Sequence, residues 1–397
     1  MTQQLDTLHF ATECFECEVK ELYTLENCTL GVVLDRTAFF PMGGGQSGDC
    51  GTLGGCHVEN VEIRAGKVLH LVKNCEETVK KLAVGTHLQA KIDRDKRFSD
   101  MQQHSGEHIL SGIVHRLYGY NNVGFHLSAH EVTVDFDGIL TDSDICKVED
   151  LVNEAIWDNR TVRVFFPTEA EQQTLSYRSK KEVDGPLRLV EIDGIDLCAC
   201  CAPHVKQTGE IGALRVLKSE KNKGGTRLWI LCGKRLLADT RQKLEQNRLI
   251  STMLSARQNE TAQFVQKLKT EHASLQYELV GVRRKLLSMQ ADAKPRQQVQ
   301  LAFLTADMDT LRYYAGLLAK KAVSFAFVCA EGSGNFVLQT ETGFDLQPVM
   351  QTLRTVCGAR GGGRGSVMQG SVTAPWNTIC AALTDAAGSE AVTVSNE

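Results

Sequence analysis

The sequence predicts an α+β multidomain protein. Residues 1–90 read as a β-rich, barrel-like N-terminal domain and 91–237 as a sheet packed with helices, followed by a helical coiled-coil segment over 238–295 and a small α/β domain over 296–397. Three observations predict this order: strand-like apolar runs broken by glycine-rich turns come first, then a helical apolar stripe leading into alternating strand patterns, then a proline-free stretch dense in Gln, Glu, Lys, Arg and Leu. At 397 residues and 43.7 kDa the chain is long enough for two or three domains, each burying its own core.

In the first domain, Gly31 to Phe40 is an apolar strand candidate, and Pro41 to Gly51, with Gly43, Gly44, Gly45 and Gly48, is a turn-forming loop that no strand interior tolerates. Val58 to His70 reads as a hairpin turning at Ala65-Gly66. From Ile92 to about Tyr118 the period becomes helical, with Met101, Ile109, Leu110, Ile113, Val114 and Leu117 on one stripe. Strands then alternate over 123–236 around a helix near Asp144 to Asn159. Leu254, Thr261, Leu268, Leu275, Val282 and Met289 recur every seven residues, and Val265, Leu279 and Leu286 follow members of that series by four, the spacing of a coiled-coil seam. Thr261 and His272 interrupt the seam, and Pro295 ends it. In the last domain Val323 to Ala330 is a buried strand and Gly358 to Gly365 an exposed loop; the loop lacks the Lys-Ser/Thr of a phosphate cradle, which argues against an NTPase.

Composition excludes several classes. Charges are scattered through Met1 to Lys20 without an apolar core, so no signal peptide is expected, and no run of about 18 apolar residues exists to span a membrane. Fourteen cysteines in such a chain point to a reducing cytoplasm and to thiol or metal chemistry. A net charge of −4 gives no global attraction to nucleic acid, leaving that to local clusters: Arg178/Lys180/Lys181, Lys218/Lys221/Lys223/Arg227 and Arg283/Arg284/Lys285.

Two motifs carry the chemistry. His104-Ser-Gly-Glu-His108 puts two imidazoles about one turn apart on the 91–237 helix, and Cys200-Cys-Ala-Pro-His204 supplies a thiolate and a third imidazole from a loop, four ligands suited to one Zn²⁺. With 11 histidines in the chain, chance alone gives about 0.3 His-x3-His pairs. The second such pair, His126/His130, adjoins an alternating strand pattern that spreads its members apart, so His130 is read as structural or surface. Cys198-x-x-Cys201 matches a redox spacing but lacks the helix N-terminus that lowers a thiol pKa.

Asp35-Arg-Thr-Ala-Phe-Phe-Pro-Met-Gly-Gly-Gly-Gln46, the His104/His108 pair, Cys200-x3-His204-Val, Thr208-Gly-Glu-Ile-Gly212 and Lys221-Asn-Lys-Gly-Gly-Thr-Arg227 together resemble the AlaX family of alanyl-tRNA editing proteins, related to the editing domain of alanyl-tRNA synthetase. Gly361-Gly-Gly-Arg364 and Met368-Gln-Gly370 resemble the DHHA1-like C-terminal domain of that synthetase, which makes this the long form. No class II aminoacylation domain is recognised ahead of the editing motifs, so a free-standing editor is expected. The resemblance implies zinc-assisted hydrolysis of the ester that joins serine, or glycine, to alanine tRNA, with 91–237 as the zinc-binding editing domain. The heptads suggest a homodimer contact through the helices of 238–295, and an intramolecular helical hairpin would use the same pattern. The resemblance further implies that Thr37 reads the serine hydroxyl, that Gln46 contacts substrate or backbone beside the metal, and that Gly43, Gly44 and Gly45 let that backbone come close. Family members usually read Cys-Gly-Gly-Thr-His where this chain has Cys200-Cys-Ala-Pro-His204. Two rivals remain: an inverted zinc peptidase, His-x-x-Glu-His with Glu107 as general base, and a non-catalytic tRNA-binding module whose zinc only holds the fold.

Overall fold

The chain forms two compact units, Met1–Arg248 and Leu249–Glu397. The computed structural model describes residues 2–5, 10–129, 131–179 and 186–388, and the backbone of 392–396. His130, Lys180 and Lys181, singled out above, lie outside the described residues.

In the first unit, β1 (Gln3–Gln4) pairs parallel with β4 (Arg36–Thr37). A closed barrel forms from β2 (Cys14–Thr24), β3 (Thr29–Leu34), β5 (Gly51–Leu53), β6 (Cys56–Arg64), β7 (Lys67–Lys73) and β8 (His87–Ile92), in the order β2-β3-β7-β6-β5-β8. Closure depends on β2: Cys14–Glu18 pair with β8, Val19–Thr24 pair with β3, and the register shifts between Val19 and Glu21 where the strand changes partner. Residues including Val19, Val32, Leu34, Val58, Val61, Val72, Ala90 and Ile92 fill the interior. The β6–β7 hairpin turns through Ala65 and Gly66, with φ of 48° and 74°. Leu82 follows α1 (Glu76–Lys81) into the same core.

The strand expected over Gly31 to Phe40 stops at Leu34 and resumes only as Arg36–Thr37. Side chains outside the barrel take the next backbone groups: the Ala38 carbonyl accepts from Arg97 at 2.7 Å, and the Phe40 amide donates to Asp49 at 2.6 Å. The loop is thereby drawn onto the adjoining layer. There β9 (Asn122–Leu127), β10 (Val132–Phe136), β14 (Leu214–Asn222) and β15 (Gly225–Cys232) form a sheet in the order β14-β15-β10-β9. Its core is shared with α2 (Arg94–Tyr118) and α3 (Asp142–Trp157). A three-stranded sheet of β11 (Val162–Phe165), β12 (Leu189–Ile192) and β13 (Asp196–Ala199) follows, with α4 (Glu169–Gln172) between its first two strands.

The helix α2 starts at Asp93, whose side chain accepts from the Lys96 amide, and ends at Gly119 with φ of 72°. Although it is nearly surrounded by protein, its buried residues include Gln102, Gln103, His104, Ser105, Glu107, His108 and Ser111. Buried polar groups need partners, so this composition marks a helix built to carry a site rather than only a core. Gly106 is required by its neighbour: a Cβ there would lie 2.4 Å from the Cys232 sulfur on β15.

In the second unit, the predicted helical segment is two helices, α5 (Gly233–Leu254), within which the boundary between units falls, and α6 (Thr261–Ala293). On α6 only Leu287 and Ala291 are buried; Leu268, Leu275, Leu279, Val282, Leu286 and Met289 of the heptad series are exposed. A six-stranded sheet follows, of β16 (Gln297–Leu304), β17 (Ala322–Ala330), β18 (Asn335–Gln339), β19 (Arg360–Arg364), β20 (Val367–Ser371) and β21 (Val392–Asn396), in the order β19-β20-β18-β17-β16-β21. The end of α6 packs with α7 (Met308–Ala319) in one core, and α8 (Leu346–Cys357) with α9 (Trp376–Ala387) in the other. The loop expected at Gly358 to Gly365 is corrected: Arg360–Arg364 is an edge strand paired antiparallel with β20. Its glycines permit an approach in which a Cβ on Gly363 would meet the Val367 carbonyl at 2.2 Å.

Arg97, in the first turn of α2, is 4% exposed and joins barrel to helix. Its Nη1 donates to the carbonyls of Phe10 at 3.0 Å and Thr12 at 3.2 Å, its Nε to Asp49 at 3.3 Å, and its Nη2 to Ala38 and to Asp49. Removing one member of a buried ion pair leaves the other charge uncompensated, which typically costs about 3–5 kcal/mol. We expect Arg97→Ala to lower the unfolding free energy by about that amount in denaturant titration; a loss below about 1 kcal/mol would mean the junction does not depend on this pair.

Candidate metal centre

Four side chains converge where α2 faces the loop after β13. The ligand atoms of His104, His108, Cys200 and His204 all lie within 4.8 Å of one another, the three histidines buried and Cys200 half-buried. Cys200 Sγ is 3.6 Å from His104 Nε2 and 3.3 Å from His204 Nε2. The i, i+4 spacing on α2 sets the His104 and His108 rings 5.3 Å apart, and His204 closes the triangle at 4.8 and 4.6 Å.

Each imidazole is gripped on its outer nitrogen. His104 Nδ1 lies 2.7 Å from Gln46 Oε1, His108 Nδ1 lies 3.1 Å from Asp196 Oδ2, and His204 Nδ1 lies 3.1 Å from Ser105 Oγ. Gln46 Oε1 and the Asp196 carboxylate can only accept, so Nδ1 of His104 and of His108 is the donor, and Nε2 is the nitrogen left for a metal. Asp196 is fixed in turn by Arg178, whose Nε and Nη2 donate to its two carboxylate oxygens at 2.7 and 2.8 Å. Arg188 donates to the carbonyls of Cys200 at 2.7 Å and Ala202 at 3.0 Å, holding the ligand loop.

The Gly-rich turn brings Gln46 to this place. Gly43 and Gln46 bridge each other, the Leu127 amide donates to the Gly45 carbonyl at 2.7 Å, and the turn thus docks on β9. Gly45, with φ of 85°, sits where a Cβ would lie 2.2 Å from the Phe125 carbonyl, so no larger residue fits. Gly43, Gly44 and Gly45 line a cavity of about 640 Å³ that His104, His108 and Cys200 also face, with Phe40, Met42, Ile63, Val123 and Phe125 as apolar wall.

Charge at the cluster follows from burial and neighbours. Burial alone would raise the Cys200 thiol, but His104 and His204 beside it hold it well below its ordinary value, favouring thiolate. Burial pushes His204 down to about 3. For His108 burial acts downward, and the Asp196 and Cys200 hydrogen bonds outweigh it, raising the group to about 9. The flanking thiols move the other way: burial pushes Cys198 up to about 12 and raises Cys201, so neither offers a second thiolate for redox chemistry.

Other expectations meet the structure differently. Gln46 touches a ligand rather than the cavity lining, so it is a positioning residue for His104. Thr37 is fully buried and is not among the lining residues. Since His70 Nδ1 donates to the Val32 carbonyl at 3.0 Å, His70 Nε2 accepts from the Thr37 hydroxyl at 2.8 Å, and Thr37 Oγ1 accepts from the Phe39 amide at 3.1 Å. One lone pair of the Thr37 oxygen is left. Glu107, proposed as a peptidase base, accepts instead from Ser111 at 2.6 Å and from Asn122, and the donor cluster does not include it. Arg178 is bound to Asp196 and Arg227 pairs with Asp135, which removes two cations from the candidate nucleic-acid clusters. Ser105, Asp49, Arg97, Asp196 and Arg188 were not singled out; only Ser105, inside the histidine motif, carried a local signal.

A buried cluster of three imidazoles and one thiolate, backed by hydrogen-bonded acceptors and open to a cavity, is a candidate metal centre. The family model described as "Threonyl and Alanyl tRNA synthetase second additional domain" matches residues 187–228, which contain Arg188, Asp196, Cys200 and His204. The one described as "tRNA synthetases class II (A)" matches residues 10–96, the barrel with its Gly-rich loop. Over 289 residues, 70% of this chain and 64% of the relative, the sequence is 28% identical to the alanyl-tRNA editing protein Aarsd1 of Bos taurus. The match to Aarsd1-A of Xenopus laevis is also 28%, over 71% of this chain and 69% of that protein, and the alanine–tRNA ligase of Pyrococcus furiosus is 28% identical over 90% of this chain and 40% of its own length. The chain thus spans about two thirds of the length of the editing proteins it matches. These matches relate it to the AlaX-like editing proteins and, with them, to alanine–tRNA ligase.

Two measurements check the site. Cys200→Ala should abolish metal binding and Gln46→Ala should weaken it about 10- to 100-fold, whereas Thr37→Val should leave affinity intact and cost about 1–3 kcal/mol of stability; metal titration and denaturation of the same samples separate these outcomes. Because His108 must lose its raised proton to ligate, affinity should climb with pH toward about 9, with proton release on metal uptake at neutral pH. A pH-independent affinity between 6 and about 9 would remove His108 from the ligand set.

Proposed function

We propose that this protein is a trans-editing hydrolase that deacylates mischarged alanine tRNA, hydrolysing the ester of serine, and of glycine, with Zn²⁺ in the His104/His108/Cys200/His204 cluster. The convergence of those four donors carries the reading. With Zn–N near 2.05 Å and Zn–S near 2.3 Å, a tetrahedral site has an N···S edge of about 3.6 Å. The two Cys200 distances, 3.6 and 3.3 Å, agree with that edge.

When bound, zinc supplies Lewis acidity toward the ester carbonyl and lowers the pKa of a nearby water. The chain's own groups do the rest. Gln46, Asp196 and Ser105 each engage the outer nitrogen of one ring, which aims the inner nitrogens at one another. Phe40, Val123 and Phe125 give the cavity an apolar wall, and Gly43 to Gly45 line it without side chains.

The peptidase alternative loses support because Glu107 is engaged by Ser111 and Asn122. One observation favours a non-catalytic module: four protein donors fill a tetrahedral shell, as in structural zinc, whereas catalytic zinc usually keeps one position open. Two further parts of the reading rest on separate features. The exposed heptad residues of α6 support pairing of two copies of the chain. Fourteen free cysteines, and the absence among the described residues of a helix long and apolar enough to cross a membrane, support a cytoplasmic location.

Single-turnover hydrolysis of seryl- and alanyl-tRNA, both on alanine tRNA, by the zinc-loaded protein and its His104→Ala variant tests the reading. Fast loss of serine with alanine spared, at least about 100-fold slower in the variant, is expected. A folded, zinc-loaded protein that binds tRNA and cleaves neither ester would establish the non-catalytic module instead.

A further inference from the structure

Beside the cavity of the metal cluster lies a second one, of about 600 Å³, which no part of the proposed chemistry uses. The two are neighbours along three segments. Ser179 lines both; Asn122 lines the second and Val123 the first; Leu197 lines the second and Cys198 the first. Between them runs the hydrogen bond from His108, which faces the metal cavity, to Asp196, which faces the other.

The walls of the second cavity are polar and cationic. His115 and Arg116 come from the last turn of α2, and Tyr177 and Arg178 from the segment before β12. Its one acidic lining residue, Asp196, is neutralised by the bidentate pair with Arg178. Arg116 donates one bond, to the Gly194 carbonyl at 3.1 Å, and among the described residues no carboxylate pairs with it. His115 engages the Tyr120 carbonyl through Nδ1. An aromatic ring, a guanidinium without a carboxylate partner and an imidazole around a space within the range of small-ligand sites are the chemistry that binds single-stranded nucleic acid by stacking and phosphate contact.

Resting on the reading that the metal cluster hydrolyses an ester at a tRNA 3′ end, we propose that this second cavity receives the nucleotide preceding the esterified one. The 3′ strand then runs from the cluster past Ser179, its penultimate base against Tyr177 and its backbone phosphate against Arg116 and His115. The proposal distinguishes two roles on one strand: the metal cavity handles the ester, and its neighbour holds the strand in register.

Single-turnover hydrolysis of two seryl esters by the zinc-loaded full chain tests it, one ester on adenosine alone and one on a cytidine-cytidine-adenosine trinucleotide. The wild-type protein should reach half-saturation at about ten-fold lower concentration of the trinucleotide. Tyr177→Ala and Arg116→Ala should each remove most of that advantage while leaving the adenosine ester's rate unchanged, and Tyr177→Phe, which keeps the ring, should restore it. If wild type treats both esters alike, or if the advantage survives both alanine variants while hydrolysis is normal, the subsite is overturned and the hydrolase reading stands. If neither ester is cleaved, the hydrolase reading fails and takes the subsite with it.

Discussion

Arg97 sits at a point where charge, backbone and site geometry meet. It is almost fully buried, an arrangement that is unfavourable for a cation unless every donor is satisfied and a counter-ion is close. Asp49 supplies the counter-ion, and three carbonyls, of Phe10, Thr12 and Ala38, take donors from its two terminal nitrogens. The consequence lies in chain position. Asp49 is three residues from Gln46, and Arg97 is two helical turns from His104, so the pair fixes the Gly-rich loop against α2 at the distance from which Gln46 reaches His104 Nδ1. A second connection runs in parallel. Asp100, 1% exposed, takes Lys96, which also holds Ser47 and Gly48, and Arg235 from α5, which also holds Ser99 and Ser128. Barrel, helix and four-stranded sheet are therefore joined by buried charges rather than by apolar contact alone. The geometric demands of guanidinium bonding are stricter than those of a greasy interface, which suits a junction that must set a donor's position to a few tenths of an ångström.

That junction explains why the barrel is needed for the cluster at all. None of the four donors comes from the barrel; it contributes Gln46 and the glycine turn, and through them the tautomer of His104. The remaining outer partners come from elsewhere: Ser105 from α2 itself and Asp196 from β13. Ser105 works in two directions, accepting the Val205 amide at 3.2 Å as well as meeting His204, so it ties the ligand loop to the ligand helix. Three imidazoles, each oriented by a different element, converge only when all those elements are in place.

What could be read from the sequence follows from locality. The helical histidine pair depends on i, i+4 spacing and the Cys-x3-His loop on a short separation, and both are visible in a linear string; so were the β6–β7 hairpin at Ala65-Gly66 and the buried run of β17. Gln46 with His104, Asp49 with Arg97 and Asp196 with His108 are separated by 48 to 88 positions, and no periodicity announces such pairs. The partner of Thr37 is hidden in the same way: His70, 33 residues away, accepts its hydroxyl proton. Gly361 to Gly363 read as a loop because glycine disfavours strands; at a sheet edge the same residues pair with β20, where the absence of side chains lets the backbones approach. The heptad series crossed a real break. Ser255, with φ of 50°, turns the chain between α5 and α6 in the middle of a pattern that is continuous in composition.

Burial and neighbouring charges act on the donors in opposite directions. Cys200 is held toward thiolate by His104 and His204, while His108 is held toward imidazolium by Asp196 and by that same thiolate. Asp196 accepts from His108 at 3.1 Å while Arg178 holds both of its oxygens, so ring, carboxylate and guanidinium form one buried chain. Loss of Asp196 would release the His108 ring and leave Arg178 without its counter-ion in a single step, which is why this carboxylate belongs with the four donors as part of one unit.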